Sequence, residues 1–258
     1  MSILIFDSGV GGLSIFAELQ KQLPTVSMTY LFDNQYFPYG ELDDQVLIER
    51  VCSLLAKAVN EFGSELVVIA CNTASTLVLE PLRQILSIPV VGVVPAIKPA
   101  AMTTKNNCIG LLATPGTVAR SYTDTLVRNF AADKTVLRIG SSELVKLAEQ
   151  KLRMKPIDLD SLAAILAPWL LADVKPDRIV LGCTHFPLLA EELKRVLGDD
   201  VELIDSGVAI AKRVASLIKG GADNAELDIY CSLLNQETNE LNPALAQLGF
   251  SPLQSFIV

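Results

Sequence analysis

Short apolar runs alternate with segments of helical periodicity along most of this chain. The runs lie near residues 3–6, 27–32, 66–70, 90–93, 108–113, 136–139, 178–182 and 202–204. Runs of this length are typical of strands that are buried on both faces of a parallel sheet. The pattern therefore predicts an α/β fold in which mainly parallel sheets carry helices on both faces.

The spacing of apolar residues between these runs predicts helices. Residues 51–62 carry apolar side chains at positions i, i+3 and i+4, and Asp43 or Asp44 is the expected N-cap of that helix. Residues 145–148 form a shorter helical patch. The pattern weakens towards the C-terminus, where residues 227–231 are predicted as an edge strand.

Two cysteines occur in the same setting. Cys71 follows the run at 66–70 and Cys183 follows the run at 178–182, and short hydrogen-bonding side chains come after each thiol. Both are therefore expected at the carboxyl end of a strand, where open α/β sheets bind ligands, and at the start of a helix, which favours the thiolate. A buried cysteine is usually inert, but the matched settings favour a function for both.

A second repeat accompanies the cysteines. Asp7-Ser8-Gly9-Val10 and Asp205-Ser206-Gly207-Val208 both follow an apolar run. The two repeats together predict two similar α/β domains, residues 1–94 plus 207–258 and residues 95–206, with the active site in the cleft between them. Two thiols facing each other across such a cleft would suit a reaction that needs an acid and a base on opposite faces of a carbon atom.

Composition narrows the function. The chain has 258 residues and 50% of them are apolar, its net charge is −8, and its N-terminus lacks the basic region of a signal peptide. No apolar run approaches the roughly 20 residues of a membrane span. The acidic balance argues against nucleic-acid or membrane binding as the main role. Five cysteines, an odd number, favour free thiols in a reducing compartment. We therefore expect a soluble, cytoplasmic protein.

Other chemistry for the thiols has less support. Zinc needs clustered ligands, and the sequence has neither CxxC nor HxxxH spacing, so we predict no metal site. A redox disulfide would also lack the usual CxxC spacing. Cys52 lies in a helical apolar stripe, Cys108 opens an apolar run and Cys231 lies near the C-terminus, so we expect these three to have packing roles.

Two polar segments are further candidates. The segment from Asp7 to Gly12 has glycines that allow close backbone approach and N–H groups that can bind an anion, but it is not GxGxxG and no Walker lysine follows. Asp7 itself could cap a helix, bind an ammonium group or accept a proton. His185, the only histidine, is expected to orient or titrate with Cys183. Neither Lys nor Arg occurs in the segments 7–9, 38–40, 71–73 and 183–185.

Five segments, in order, resemble glutamate racemases of the aspartate/glutamate racemase superfamily. They are residues 6–13 (FDSGVGGL), 38–40 (PYG), 70–74 (ACNTA), 89–95 (PVVGVVP) and 181–187 (LGCTHFP). Aspartate racemases share the paired cysteines but typically carry a GGxGP-type opening and a glutamate after the second Cys-Thr. The residues at positions 7–9 and 185 therefore favour glutamate as the substrate.

The resemblance implies a cofactor-independent isomerase that supplies D-glutamate for peptidoglycan, in cell-wall biogenesis and the maintenance of cell shape. One thiolate would remove the α-proton while the other thiol protonates the opposite face. Cys71 would deprotonate D-glutamate with help from Asp7, and Cys183 would deprotonate L-glutamate with help from His185. Glu149 would be a further assisting carboxylate; alternatively, it lies on a solvated helix face.

The resemblance also implies the residues that bind substrate. They are Asp7, Ser8, Tyr39, Gly40, Asn72, Thr73, Thr184 and His185, with Thr114 and Thr117 as weaker candidates for a carboxylate contact. It implies no cofactor, glutamate as the small-molecule partner, and a monomer or homodimer. Residues 93–100 resemble members regulated by a muramyl-nucleotide precursor, but those members carry an N-terminal extension that this chain lacks, so the resemblance leaves that regulation open. The alternatives are a racemase of another amino acid such as aspartate, or a non-catalytic binding protein on the same scaffold.

Overall fold

Strands and helices alternate through the first 92 residues, as the apolar pattern predicts. The computed structural model describes residues 2–218, 220 and 225–257. The first elements are β1 (Ser2–Asp7), α1 (Leu13–Gln22), β2 (Ser27–Phe32), α2 (Asp44–Phe62), β3 (Leu66–Ile69), α3 (Asn72–Ile85) and β4 (Val90–Gly92). Two short 3-10 helices, Asn34–Tyr36 and Tyr39–Glu41, lie between β2 and α2. β3 is buried along its whole length, as expected for a central parallel strand.

The middle of the chain builds a second set of strands. Its elements are α4 (Ile97–Thr103), β5 (Cys108–Ala113), α5 (Pro115–Ala119), α6 (Ser121–Phe130), β6 (Thr135–Gly140), α7 (Glu143–Leu152), α8 (Leu159–Leu170), β7 (Arg178–Leu181), α9 (Ala190–Leu197) and β8 (Glu202–Ile204). A 3-10 helix at Phe186–Leu189 precedes α9. The buried ring of Trp169 in α8 packs directly on β5, where a Cβ atom at Gly110 would lie 2.9 Å from that ring. The absence of a side chain at Gly110 thus permits this close packing of helix on sheet.

The last part of the chain returns to the first set of strands. Its elements are α10 (Gly207–Leu217), β9 (Leu227–Cys231), α11 (Gln236–Asn239), α12 (Asn242–Gln247) and β10 (Gln254–Ser255). α10 packs on α1, and β9 pairs with β2. The prediction that residues 227–231 form an edge strand is wrong, because β10 pairs with the outer side of β9. β10 has two exposed polar residues, so the apolar pattern carries no sign of it.

Two parallel sheets result, and they share one strand order. The first is β10-β9-β2-β1-β3-β4 and the second is β6-β5-β7-β8, with every described pairing parallel. Numbered within its own set, each contains the order second, first, third, fourth. β3 and β7 therefore occupy equivalent places, and so do the two cysteines that follow them.

The repeated Asp-Ser-Gly-Val tetrapeptide does not occupy equivalent places. It follows β1 in one case and β8 in the other, whereas the counterpart of β8 in the first sheet is β4. The inference that this repeat marks the duplication is therefore wrong. Asp, Ser and Gly are favoured wherever a strand gives way to a helix start, which explains the coincidence.

The chain divides into two compact units. The first, hereafter the first unit, comprises Met1–Val93 with Gly207–Val258, and the second unit comprises Val94–Ser206. Residue 94 is the one position on which this division and the predicted domain limits differ. That the two units are separate folding domains remains a prediction. Within the described residues, none of the helices is both long and apolar enough to cross a membrane.

The N-cap of α2 gives a test of the local structure. The Asp43 carboxylate accepts hydrogen bonds from the backbone N–H groups of Gln45 and Val46, at 2.9 and 3.3 Å. Asp43→Ala removes both, and we expect the free energy of unfolding measured in urea to fall by about 1 kcal/mol. Asp43→Asn keeps an acceptor oxygen and should preserve most of the stability. Equal losses in the two variants would contradict the capping role.

Candidate active site

Asp7 and Cys71 follow neighbouring strands of the first unit. β1 and β3 are parallel, with Phe6 opposite Ile69, so the residues just after both strands share one edge of the sheet. In parallel α/β sheets this carboxyl edge is where ligands bind. The predicted placement of Cys71 at a strand end is confirmed.

The Asp7 carboxylate is fully buried and is held by its own loop. It accepts hydrogen bonds from the backbone N–H groups of Ser8 and Gly12, both at 2.8 Å, and from the Tyr30 hydroxyl at 3.4 Å. A Cβ atom at Gly12 would lie 2.7 Å from that hydroxyl oxygen, so the tight loop requires glycine here. These donors stabilise the ionised carboxylate and fix its orientation.

Cys71 occupies the N-cap position of α3. Its backbone is extended (φ −127°, ψ 116°), its side chain is buried, and its sulfur lies 3.6 Å from the Ser8 hydroxyl oxygen. The helix N-terminus favours the thiolate form of such a cysteine. Asn72 and Thr73, in the first turn of α3, are also buried. The amide nitrogen of Asn72 has no hydrogen-bond partner in the described structure.

Behind Cys71 lies a cluster that the sequence analysis missed. Asp33 follows β2 directly and is fully buried, and its carboxylate accepts two hydrogen bonds from the Arg50 guanidinium, each at 2.9 Å. The Tyr39 hydroxyl donates to the same carboxylate at 2.7 Å. Burial, the Asp33 carboxylate and the nearby Cys71 thiol raise the pKa of Tyr39 well above its usual value. Tyr39 therefore keeps its hydroxyl proton and donates it in the hydrogen bond to Asp33. The next residue, Gly40, is half-buried.

The signal for Asp33 was present in the sequence, whereas the signal for Arg50 was not. Asp33 follows an apolar run in the same way as Asp7 does. Arg50 lies in the polar positions of α2, where a charged residue ordinarily indicates only a solvated face. The candidate segments contain no Lys or Arg, and the Arg50 guanidinium is a cation that α2 brings to them from outside.

Cys183 follows β7 in the second unit, at the place equivalent to that of Cys71. It is buried, and the expected helix start after it is wrong, because the 3-10 helix begins only at Phe186 and α9 only at Ala190. Pro187 has no N–H group and cannot donate the first hydrogen bond of a helix capped by Cys183. This thiol therefore lacks the helix N-terminus that Cys71 has.

A chain of polar side chains replaces the helix N-terminus at Cys183. Its sulfur lies 3.8 Å from Nδ1 of His185, and Nε2 of His185 lies 2.9 Å from the Glu149 carboxylate. The other oxygen of Glu149 accepts a hydrogen bond from Arg153 at 2.7 Å. Glu149 lies in α7 and is mostly buried, so it is not part of a solvated helix face. Arg153, one turn further on, was not predicted.

Hydrogen bonds shift the pKa values of Glu149 and His185 in opposite directions. Burial raises the pKa of Glu149, but its bonds to His185 and Arg153 outweigh burial and lower that pKa to about 2. Burial lowers the pKa of His185, and the contacts with Cys183 and Glu149 raise it well above the usual value. The contacts on both sides of the ring therefore favour the protonated form of His185 over the neutral one.

Threonines complete the carboxyl edge of the second sheet. β5 and β7 pair with Leu112 opposite Leu181, so Thr114 follows the strand next to Cys183. Thr114 caps α5, its side chain accepting a hydrogen bond from the backbone of Thr117, and its hydroxyl donates to that of Thr117 at 3.0 Å. Thr184 is buried directly after Cys183. Hydroxyl groups therefore surround this end of the sheet.

The remaining three cysteines are wholly or partly buried. Burial raises the pKa of the Cys52 thiol, burial and Asp177 raise that of Cys108, and burial raises that of Cys231 to about 11. A raised pKa suppresses the thiolate that a base or nucleophile needs.

Comparison with known proteins identifies the family. Residues 12–214 match the family model described as Asp/Glu/hydantoin racemase. The chain is 53% identical to the glutamate racemase of Vibrio cholerae, over 99% of its own length and 96% of that protein. It is 50% identical to the glutamate racemase of Photorhabdus laumondii, over 99% and 91%.

Solved structures agree with the sequence relatives. The crystal structure of Escherichia coli glutamate racemase in complex with L-glutamate and the activator UDP-MurNAc-Ala has a TM-score of 0.96 and 46% identity, covering 100% of this chain and 98% of that one. A glutamate racemase isoform from Bacillus anthracis has a TM-score of 0.83 and 30% identity, covering 100% and 97%. The chain therefore belongs to the glutamate racemases of the Asp/Glu/hydantoin racemase family.

Proposed function

We propose that Cys71 and Cys183 are the two acid–base groups with which this racemase interconverts L- and D-glutamate without a cofactor. The observation that carries the proposal is the equivalence of these thiols. Each is buried after the third strand of a sheet with the same order, and each lies within 4 Å of a hydrogen-bonding side chain, Ser8 or His185. None of the other three cysteines follows the third strand of a sheet.

Each thiol acts as the base for one enantiomer of glutamate. Cys71 removes the α-proton of D-glutamate and Cys183 that of L-glutamate, and in each case the opposite thiol protonates the other face of the α-carbon. Asp7 assists Cys71, and His185 with Glu149 assists Cys183. The fixed, buried carboxylate of Asp7 and the imidazolium of His185 support these roles.

The hardest step is the removal of a proton from a carbon next to a carboxylate. Without a cofactor to delocalise the charge, the carbanion-like state must be stabilised by preorganised hydrogen bonds in a site that excludes water. We propose that Asn72 contributes through its buried amide nitrogen, which has no protein partner in the described structure. Further substrate contacts come from residues at the same strand ends or in the nearby 3-10 helix: Ser8, Tyr39, Gly40, Thr73 and Thr184.

We also propose a cellular role, which follows from the racemase activity. D-glutamate is a component of peptidoglycan, so the enzyme would serve cell-wall biogenesis and cell shape from the cytoplasm. Glutamate is its small-molecule partner, and it acts as a monomer or homodimer.

The first test is racemisation itself. With EDTA present and no added cofactor, the circular dichroism signal of D-glutamate should decay to zero. Cys71→Ala and Cys183→Ala should each lower kcat/KM by about 1,000-fold or more, since each removes a group that transfers a proton. Cys52→Ala is the matched control and should retain full activity. Substantial turnover in either of the first two variants would contradict the two-thiol assignment.

The second test concerns the charge of His185, whose ring is the only imidazole in the chain. Its NMR titration is therefore unambiguous. In the wild type we expect the imidazolium to persist at neutral pH and to be lost only as the pH rises through the raised pKa. Glu149→Gln removes a contribution that raises this pKa and leaves the burial that lowers it. The imidazolium and the activity should then be lost at lower pH.

Glu143→Gln is the control for that experiment, because Glu143 is an exposed residue of the same helix. It should leave the titration unchanged. An identical titration of His185 in the wild type and in Glu149→Gln would contradict the proposed coupling.

A second candidate function is regulation by a muramyl nucleotide. A cavity of about 500 Å³ in the first unit is lined by Arg83 and Arg213 together with residues of β4. Two guanidinium groups suit the two phosphates of a nucleoside diphosphate. The Escherichia coli relative was solved with the activator UDP-MurNAc-Ala. The cavity is therefore a reason to propose a form of regulation that the sequence left open.

The measurement for this candidate is the concentration of UDP-MurNAc-Ala that gives half-maximal stimulation of racemisation. Arg213→Ala should raise it by about tenfold, because loss of one charged hydrogen-bond donor weakens binding by about 1.5 kcal/mol. Arg195→Ala, an exposed residue of the second unit, should not raise it. No stimulation of the wild type would contradict the candidate function.

A further inference from the structure

The Asp33–Arg50 pair is an internal ion pair with two matched hydrogen bonds. The side chain of Asp33 is fully buried and that of Arg50 is 14% exposed. Arg50 donates from Nε to one carboxylate oxygen and from Nη2 to the other. The guanidinium also lies over the Tyr36 ring, 4.6 Å from its centre. Arg50 is thus fixed from two sides.

One side chain, Tyr39, connects this pair to Cys71. The Tyr39 hydroxyl donates to the Asp33 oxygen that also accepts from Nε of Arg50. Tyr39 and Cys71 lie in one apolar cluster, and the thiol is near enough to contribute to the raised pKa of the phenol. The backbone N–H of Asp33 donates to the backbone oxygen of Asp7 at 3.0 Å, which ties the pair to the Asp7 loop.

The physical consequence concerns the charge on Cys71. A buried carboxylate near this thiol opposes the formation of a thiolate, because the two negative charges repel each other across a medium of low dielectric constant. The Arg50 guanidinium neutralises Asp33 at a distance of 2.9 Å. Removal of one partner of a buried pair leaves an uncompensated charge. In this chain that charge would be separated from Cys71 by the Tyr39 side chain.

The second unit contains a comparable arrangement. Glu149 is paired with Arg153, and the His185 ring lies between that carboxylate and Cys183. In both units a carboxylate–arginine pair therefore lies one aromatic side chain away from the reacting sulfur. The two pairs serve as controls for each other, because each neighbours a different thiol.

We propose that Arg50 is a positioning residue for the half-reaction of Cys71. Through Asp33 it holds the Tyr39 side chain, and it keeps the surroundings of Cys71 neutral enough for the thiolate to form. This proposal rests on the two-thiol function proposed above. It does not place Arg50 in contact with the substrate.

The test needs a measurement that separates the two half-reactions. Enantiomers have equal free energies, so kcat/KM must change by the same factor in both directions for any variant. The primary deuterium isotope effect on kcat/KM is not subject to this constraint and can differ between the two enantiomers. A change that slows proton removal by Cys71 makes C–H cleavage of D-glutamate more rate-limiting. The isotope effect then rises with α-deuterated D-glutamate and falls with α-deuterated L-glutamate.

For Arg50→Gln we expect kcat/KM to fall about tenfold. This is less than the roughly 100-fold or more supplied by a group that transfers a proton, because Arg50 acts through other side chains. The isotope effect should rise for D-glutamate and fall for L-glutamate. Arg50→Lys keeps the charge but not the two-pronged geometry, so it should restore part of the activity and shift the isotope effects less.

Arg153→Gln is the matched variant, and its isotope effects should change in the opposite sense. Cys71→Ser tests the function on which the proposal rests, because a serine is a much weaker acid and should slow the same half-reaction as Arg50→Gln. If Cys71→Ser raises the effect with D-glutamate while Arg50→Gln leaves both effects unchanged, the positioning role is overturned and the two-thiol function stands. If Cys71→Ser itself changes both effects equally, the assignment of the thiols fails.

A purely structural role for Arg50 would lower the amount of folded enzyme and leave the isotope effects as they are in the wild type, which would overturn the proposal. Far-ultraviolet circular dichroism reports the folded fraction of each variant. If Arg50→Gln does not fold, Arg50→Lys decides the matter. An opposed shift of its two isotope effects supports the proposal, and unshifted effects with reduced kcat overturn it.

Discussion

Proton abstraction by a buried thiol requires the protein to hold a negative charge on sulfur away from bulk water. Cys71 and Cys183 are only 5% and 6% exposed, and an uncompensated charge at such depth costs several kcal/mol. Most polar features near the two thiols bear on this constraint. The two units meet it with different groups, although they share a strand order.

In the first unit one contribution comes from the backbone. Cys71 caps α3, where the helix N-terminus favours an anion, and the Asp7 loop wraps its own carboxylate in N–H groups. In the second unit Pro187 prevents a helix from starting at Cys183, and the His185 ring lies beside the thiol, with contacts that raise its pKa although burial lowers it. The chain's only histidine thus lies beside the thiol that lacks a helix N-terminus.

Much of this arrangement could be predicted from the sequence, because an apolar run followed by polar residues marks the carboxyl end of a parallel strand. That rule predicted the strand-end positions of Asp7, Cys71 and Cys183, and it would also have indicated Asp33. It could not indicate Arg50, whose partner is 17 residues away in the chain and becomes a neighbour only when α2 packs against the sheet. Side-chain pairing between elements leaves no periodic trace. For the same reason, Glu149 was assigned only through family resemblance.

If two different groups act on opposite faces of the α-carbon, as proposed, racemisation of D-glutamate in D₂O must replace the α-hydrogen with solvent deuterium. NMR at low conversion would follow the α-hydrogen of substrate and product separately. Two thiols predict that L-glutamate carries solvent deuterium from the first turnover while the remaining D-glutamate keeps its protium. Protium retained in the L-glutamate would mean that a single group removes and returns the same proton, which would contradict the two-thiol proposal.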